Sequence, residues 1–237
     1  PPTSRGCSWR PALGAAWSVV KTYAASEAKH AFDRALALSH EQPASPRLFV
    51  ALWGLHEFYL ARSEYERGLD IARQCLQMAQ EMQDPALLIQ GHHAMWGILA
   101  FTSRHGAALA HIEQMLQLYR WEEHHQLALQ YGGHDPGHCG LSIAGVLLSM
   151  SGYPDEARRR LAQAIELGKH LSVPSSLADA AYNQAMICQL LGDLPATLQW
   201  GETTIRLSTE HSYPLGYGIG AVLAGWATTM SGDPTTG

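Results

Sequence analysis

Small and apolar residues recur along the 237-residue chain at helical spacing, not at the alternation of strands. A small residue is followed by an apolar one at +4 and by a small or apolar one at +7. This triplet appears as Ala28/Phe32/Ala35, Gly68/Ala72/Cys75, Ala108/Ile112/Met115, Ala157/Leu161/Ala164 and Ala196/Trp200/Thr203. The leading residues are 40, 40, 49 and 39 positions apart. Self-similarity at a fixed period of this size marks a repeat architecture. A small head residue lets two helices approach closely, and the +4 and +7 residues extend one stripe along the same helix face. More uniformly apolar segments at 47–61, 86–101, 139–149, 177–191 and 215–229 read as the first helix of each pair.

The punctuation fits helix pairs. Short polar or glycine turns, Arg62-Ser63-Glu64, Ser103-Arg104-His105, Ser151-Gly152-Tyr153 and Leu191-Gly192-Asp193, separate first from second helices. Pro46, Pro85, Pro136, Pro174 and Pro214 stand where first helices start, a position at which a missing N–H costs nothing. Asp84 and Asp135, each before a proline, are good N-caps. Trp53, His56, Tyr59, Ser63, Tyr65 and Gly68 are spaced as in the tetratricopeptide consensus, with His56 in place of its usual glycine. Gly145 restores that glycine in the fourth unit, and Gly54, Gly97 and Gly225 read as further packing glycines. The expected fold is all-α: a tetratricopeptide-like right-handed superhelix of antiparallel helix pairs, with a repeat of about 40 residues.

The step of 49 residues contains an insertion, roughly 120–133, whose centre at 122–130 is helix-compatible before Gly132-Gly133 breaks it. It is expected to pack as an extra turn or short helix across one edge of the stack. Residues 1–9 read as a linker or disordered tail. Residues 10–237 read as one array of five pairs and the first helix of a sixth, whose Leu215, Ile219, Val222, Leu223 and Trp226 would expose apolar surface. Asp233-Pro234 would cap the missing second helix, so the chain reads as a fragment of a larger protein.

Composition narrows the partners. Apolar residues make up 46% of the chain, enough for a sizeable core. With 16% charged residues and a net charge of −5, no cation cluster favours nucleic acid. Arg158, Arg159 and Arg160 point in three directions on a helix and read as a solvated face. The four cysteines, Cys7, Cys75, Cys139 and Cys188, share no metal or redox spacing, which fits a reducing compartment. No apolar run approaches the roughly 18 residues of a membrane span, and the N-terminal residues lack a secretory layout. A cytoplasmic location is expected, without a membrane.

Candidate chemistry is sparse. Of thirteen histidines, His134 and His138 with Cys139 form the densest group, but Asp135-Pro136 between them is better read as a helix start. Structural zinc needs four ligands and catalytic zinc three, so no metal site is assigned. Hydrolase and phosphate-loop motifs are absent from the sequence, and neither a catalytic residue nor a cofactor is assigned. On first helices, the positions three before and one after the packing glycine face the concave groove of such arrays. They nominate Trp53, Glu57, His93, Ser142 and Val146, with Tyr182 if the fifth unit shifts by one. Large aromatics such as Trp53 and Trp96 can equally serve as fillers between helices.

Several stretches together resemble one bacterial group. They are Leu13-Gly14-Ala15-Ala16, Lys21-Thr22-Tyr23-Ala24-Ala25-Ser26-Glu27, Leu52-Trp53-Gly54-Leu55, Asp84-Pro85-Ala86-Leu87-Leu88, Tyr131-Gly132-Gly133-His134-Asp135-Pro136-Gly137, Leu191-Gly192 and Gly225-Trp226-Ala227. The group is the tetratricopeptide region of large proteins that join a class III adenylate/guanylate cyclase, a signalling-type P-loop ATPase and a helical array. The resemblance implies a non-catalytic regulatory segment whose partner is a protein, a peptide or an attached domain. In that group, upstream domains carry the nucleotide chemistry. Two alternatives stay open: the repeat arm of an ATPase-type transcriptional regulator, and a standalone metal-dependent enzyme using His134 and His138.

Overall fold

The computed structural model describes residues 24–39, 45–131, 135–171 and 175–232. The expected tail at 1–9, Trp17 and the first helix of the first unit, Gly132, Gly133, His134, Pro174 and Asp233-Pro234 lie outside them. Among the described residues there are twelve helices and no strand. They are α1 (Ser26–Ser39), α2 (Pro46–Ala61), α3 (Tyr65–Met82), α4 (Pro85–Phe101), α5 (His105–Leu118), α6 (Trp121–His124), α7 (Leu127–Gln130), α8 (Pro136–Met150), α9 (Pro154–His170), α10 (Ser176–Leu190), α11 (Leu194–Glu210) and α12 (Pro214–Met230). The first helices α2, α4, α8, α10 and α12 begin within three residues of the sequence expectation.

Local signals explain these bounds. Ser45 caps α2 by accepting from the Leu48 N–H, and Asp84 caps α4 by accepting from Ala86 and Leu87. Such a cap contributes about 1 kcal/mol. Four of the described first helices end in the same left-handed device. Ser63 (φ 59°), Ser103 (58°), Gly152 (87°) and Gly192 (73°) follow α2, α4, α8 and α10. The next residue then donates its N–H five residues back: Glu64 to Tyr59 (2.9 Å), Arg104 to Leu99 (3.1 Å), Tyr153 to Leu148 (2.9 Å) and Asp193 to Cys188 (2.9 Å). This closes carbonyls that the helix leaves open and turns the chain into the second helix.

The chain divides into two compact units, residues 1–136 and 137–237. In the first, α1 to α5 pack consecutively, and α2 also touches α4. Its core joins Phe49, Leu52, Trp53, Ala72, Cys75, Ala79, Leu87, Ala94 and Tyr131. The second and third triplets behave as expected: Gly68 is buried, and Ala72, Cys75, Ala108, Ile112 and Met115 are fully so. His56 is fully buried at its unusual position, between the Gly68 carbonyl and Gly97. Its Nδ1 lies 3.4 Å from the Gly68 carbonyl, while a Cβ on Gly97 would come only as near as 3.5 Å to its Nε2.

In the second unit, Val146, Ala157, Leu161 and Ile187 form a core, and α9 to α12 pack consecutively, with α10 also touching α12. Here the fifth triplet is corrected by one residue. Thr197, Gly201, Thr204 and Ser208 form the buried stripe of α11, in place of Ala196/Trp200/Thr203. The cause is close approach to α12, where a Cβ on Gly201 would meet the Ala224 backbone nitrogen at 2.9 Å. Thr197 and Thr204 return their hydroxyls to the carbonyls of Asp193 and Trp200, so burial orphans neither threonine, whereas the Ser208 hydroxyl has no partner. On α12, Leu215 and Val222 are exposed as expected, but Leu223 is buried. No helix among the described residues is long and apolar enough to cross a membrane.

Candidate functional site

The nominated groove residues fall in both units, three in each. In the first unit, α2 and α4 bring Trp53 and His93 together, edge to face with ring centroids 5.8 Å apart. His93 stacks on Trp96 at 4.6 Å and 9°, and the Trp96 indole N–H points to the Met115 sulfur at 3.5 Å. Trp53 and His93 are buried, and Glu57, one turn beyond Trp53, is 9% exposed.

The insertion covers this wall. Its two short helices, α6 and α7, end in Tyr131, which is 2% exposed and sits edge-on to Trp53 (5.2 Å, 71°) and Phe49 (6.1 Å, 87°). The Tyr119 hydroxyl donates to Asp135 Oδ2 at 2.8 Å, a buried bond that clasps the two ends of the insertion. Inside the loop, His124 Nδ1 accepts from the Arg120 N–H at 2.9 Å. Asp135, read from the sequence as a helix cap, thus also closes the insertion. Burial pushes the Tyr131 phenol well above its ordinary range, with Cys75 and Asp84 adding to the shift.

Several buried polar atoms in the first unit lack a hydrogen-bond partner: Trp53 Nε1, His56 Nε2 and both amide atoms of Gln90. Burial drives the His56 imidazole down to about 4, against the Gly68 carbonyl, and drives the Glu57 carboxyl up to about 7. His92 and His111 pair through their Nδ1 atoms at 2.9 Å. His92 is held down to about 4 by burial and its partner, and burial lowers His111 as well. Both rings are therefore neutral near pH 7, one donating and one accepting.

In the second unit, Ser142 and Val146 are buried, and Val146 belongs to the core around Leu161. The one-residue shift attached to Tyr182 is present. Tyr182 is half-buried beside Asp179, Asn183 and Cys139, and burial raises its phenol well above the ordinary range. Asp179 is half-buried with Oδ1 sealed from solvent and unpartnered. Burial pushes its carboxyl up to about 7 despite a hydrogen bond from Tyr213. The buried Cys75 and Cys188 are free thiols raised by burial. Among the described residues, no group of three or more His, Cys, Asp or Glu is placed to hold a metal. His138 is buried, and its proposed co-ligand His134 lies outside the described residues.

Tyr131, Gln90, Asp179 and the His92–His111 pair escaped sequence reasoning. Tyr131 lies in the stretch that breaks the period, Gln90 and Asp179 become notable only through burial, and His92 and His111 only once α4 and α5 bring them together.

Helix pairs ending in a repeated left-handed turn define a tetratricopeptide-like helical repeat fold. The comparisons agree on the fold. Two crystal structures of a Podosopora anserina putative kinesin light chain with nearly identical TPR-like repeats superpose with TM-scores of 0.58 at 12% identity. One match covers 86% of this chain and 95% of the other; the second covers 89% and 99%. An uncharacterized protein of Rhizobium meliloti (strain 1021) is 21% identical over 202 residues, covering 84% of this chain. The chain spans only 19% of that relative's length. No family model matches.

Proposed function

We propose that the chain is a non-catalytic interaction segment within a longer cytoplasmic bacterial signalling protein. In this reading it couples the binding of a protein or peptide to attached ATPase and nucleotide cyclase domains. The repeated helix pair carries the reading, because stacked pairs present side chains of successive first helices on a common face. The groove positions of the first unit are Trp53, Glu57 and His93, of which Glu57 keeps an open edge; in the second unit they are Ser142, Val146 and Tyr182. The resemblance to the cyclase–ATPase group and the much greater length of the Rhizobium meliloti relative support the coupling.

The test is deletion of residues 1–237 from the parent protein, with ATPase and cyclase activities measured across the conditions that regulate them. Loss of regulation with retained basal activity is expected. Unchanged regulation would overturn the coupling.

A further inference from the structure

Two carboxylates are buried in the first unit, Glu57 and Asp135. Asp135 has the Tyr119 hydroxyl. Glu57 has no comparable donor. Its nearest basic group is His56 Nε2 at 3.6 Å, beyond hydrogen-bond range and on an imidazole that burial keeps neutral. Several other acids of this unit have cations: Asp33 pairs with Lys29, Glu64 with Arg62 and Arg67, and Asp70 with Arg73. The Glu57 side chain nevertheless keeps 11% of its surface open. It is shielded from water yet reachable from outside.

A buried carboxylate without a partner is costly, and such groups persist in native proteins where they have a role. One turn back on α2, Trp53 also lacks an acceptor for its indole N–H, and the aromatic wall of Trp53, His93 and Trp96 adjoins. The rings are covered, so the carboxylate with its open edge is the group left to hold an ammonium or guanidinium, by charge pairing.

We infer that Glu57 receives a lysine or arginine side chain of a partner protein docked on the first unit. The inference rests on the interaction reading above and names the chemistry of that partner. A cation beside it favours the charged form that burial disfavours, and an acidic side chain would be repelled, so the site selects for positive charge.

The probe is a random dodecapeptide phage library panned against the intact 237-residue chain, followed by affinity measurement on synthetic copies of the recovered peptides. Peptides enriched in lysine or arginine are expected. Changing the key cation to glutamine should weaken binding by about tenfold, the change expected for a charge-assisted contact. Glu57→Gln should weaken the parent peptide by a similar factor and leave the glutamine peptide unaffected, a non-additive cycle. Glu66→Gln, at an exposed position on α3, should change nothing. Circular dichroism verifies folding, and if Glu57→Gln is unfolded, Glu57→Asp and the peptide charge series on the unaltered chain decide instead. Peptides that bind without a cation, or equally to Glu57→Gln, overturn the inference and leave the interaction reading standing. Recovery of no binding peptide overturns both.

Discussion

Replacing Tyr131 by alanine asks whether the insertion is part of the core of the first unit or a lobe resting on it. The ring is 2% exposed and meets Trp53 and Phe49 edge-on at 5.2 and 6.1 Å. Truncating a fully buried aromatic costs about 3–5 kcal/mol, and each edge-to-face contact contributes about 0.5–1.5 kcal/mol beyond simple burial. A loss of about 3 kcal/mol is therefore expected. With a urea slope on the order of 2 kcal/mol per M, the midpoint of the first unit's transition should fall by ~1.5 M. Urea titration followed by tryptophan fluorescence reads the shift, and hydrogen exchange assigns it to amides of α2 and α4. Tyr131→Phe, which keeps the ring, should cost under about 1 kcal/mol. A loss of less than about 0.5 kcal/mol in Tyr131→Ala, the range of ordinary surface changes, would refute the claim that the insertion completes this core.

Other consequences are equally direct. Gly201→Ala places a methyl against the Ala224 backbone; overpacking of about 1–3 kcal/mol outweighs the helix-propensity gain of about 1 kcal/mol, so the melting temperature should fall. Gly218→Ala, with open space around it, should raise the melting temperature instead. At the turns, Gly192→Ala should cost about 1 kcal/mol, while Ser63→Gly, at φ 59°, should gain up to about 0.5 kcal/mol once the freer unfolded chain is counted; chemical denaturation checks both. Because the Glu57 carboxyl sits near 7 when folded and near 4.5 otherwise, the folded state holds its proton more tightly between those values. Stability from Glu57 is thus full below about pH 4.5 and lost as pH rises through 7. Glu57→Gln should gain on the unaltered chain across that window, by on the order of 3 kcal/mol at pH 8. A flat difference in thermal stability from pH 4.5 to 8 would contradict the buried-carboxyl assignment.

The helix pairs were legible because their determinants are local. Pro46, Pro85 and Pro136 open their helices, and the left-handed positions at Ser63, Ser103, Gly152 and Gly192 close four first helices. These signals act within a few residues, so spacing alone exposes them. The fifth triplet was misread by one residue for the opposite reason. Ala196, Trp200 and Thr203 fit an apolar stripe better than Thr197, Gly201 and Thr204, but the α11–α12 approach selects the smallest surface. Hydroxyls that return to their own helix let threonine stand in for alanine there.

The inner face of the first unit shows what periodicity leaves out. Repeat spacing nominates Trp53, Glu57 and His93 on neighbouring first helices, but it assigns no occupant to the space before them. That occupant is Tyr131, tens of residues away and in the stretch where the repeat fails, held by a clasp between Tyr119 and Asp135 that also spans the break. Its ring turns Trp53 from a contact residue into core, as the filler reading of large aromatics allows. Glu57 is not absorbed in the same way, because apolar packing can satisfy an indole ring but not a carboxylate. The same burial that removes Trp53 from the list of direct contacts therefore leaves Glu57 as the group in this wall whose chemistry still calls for a partner.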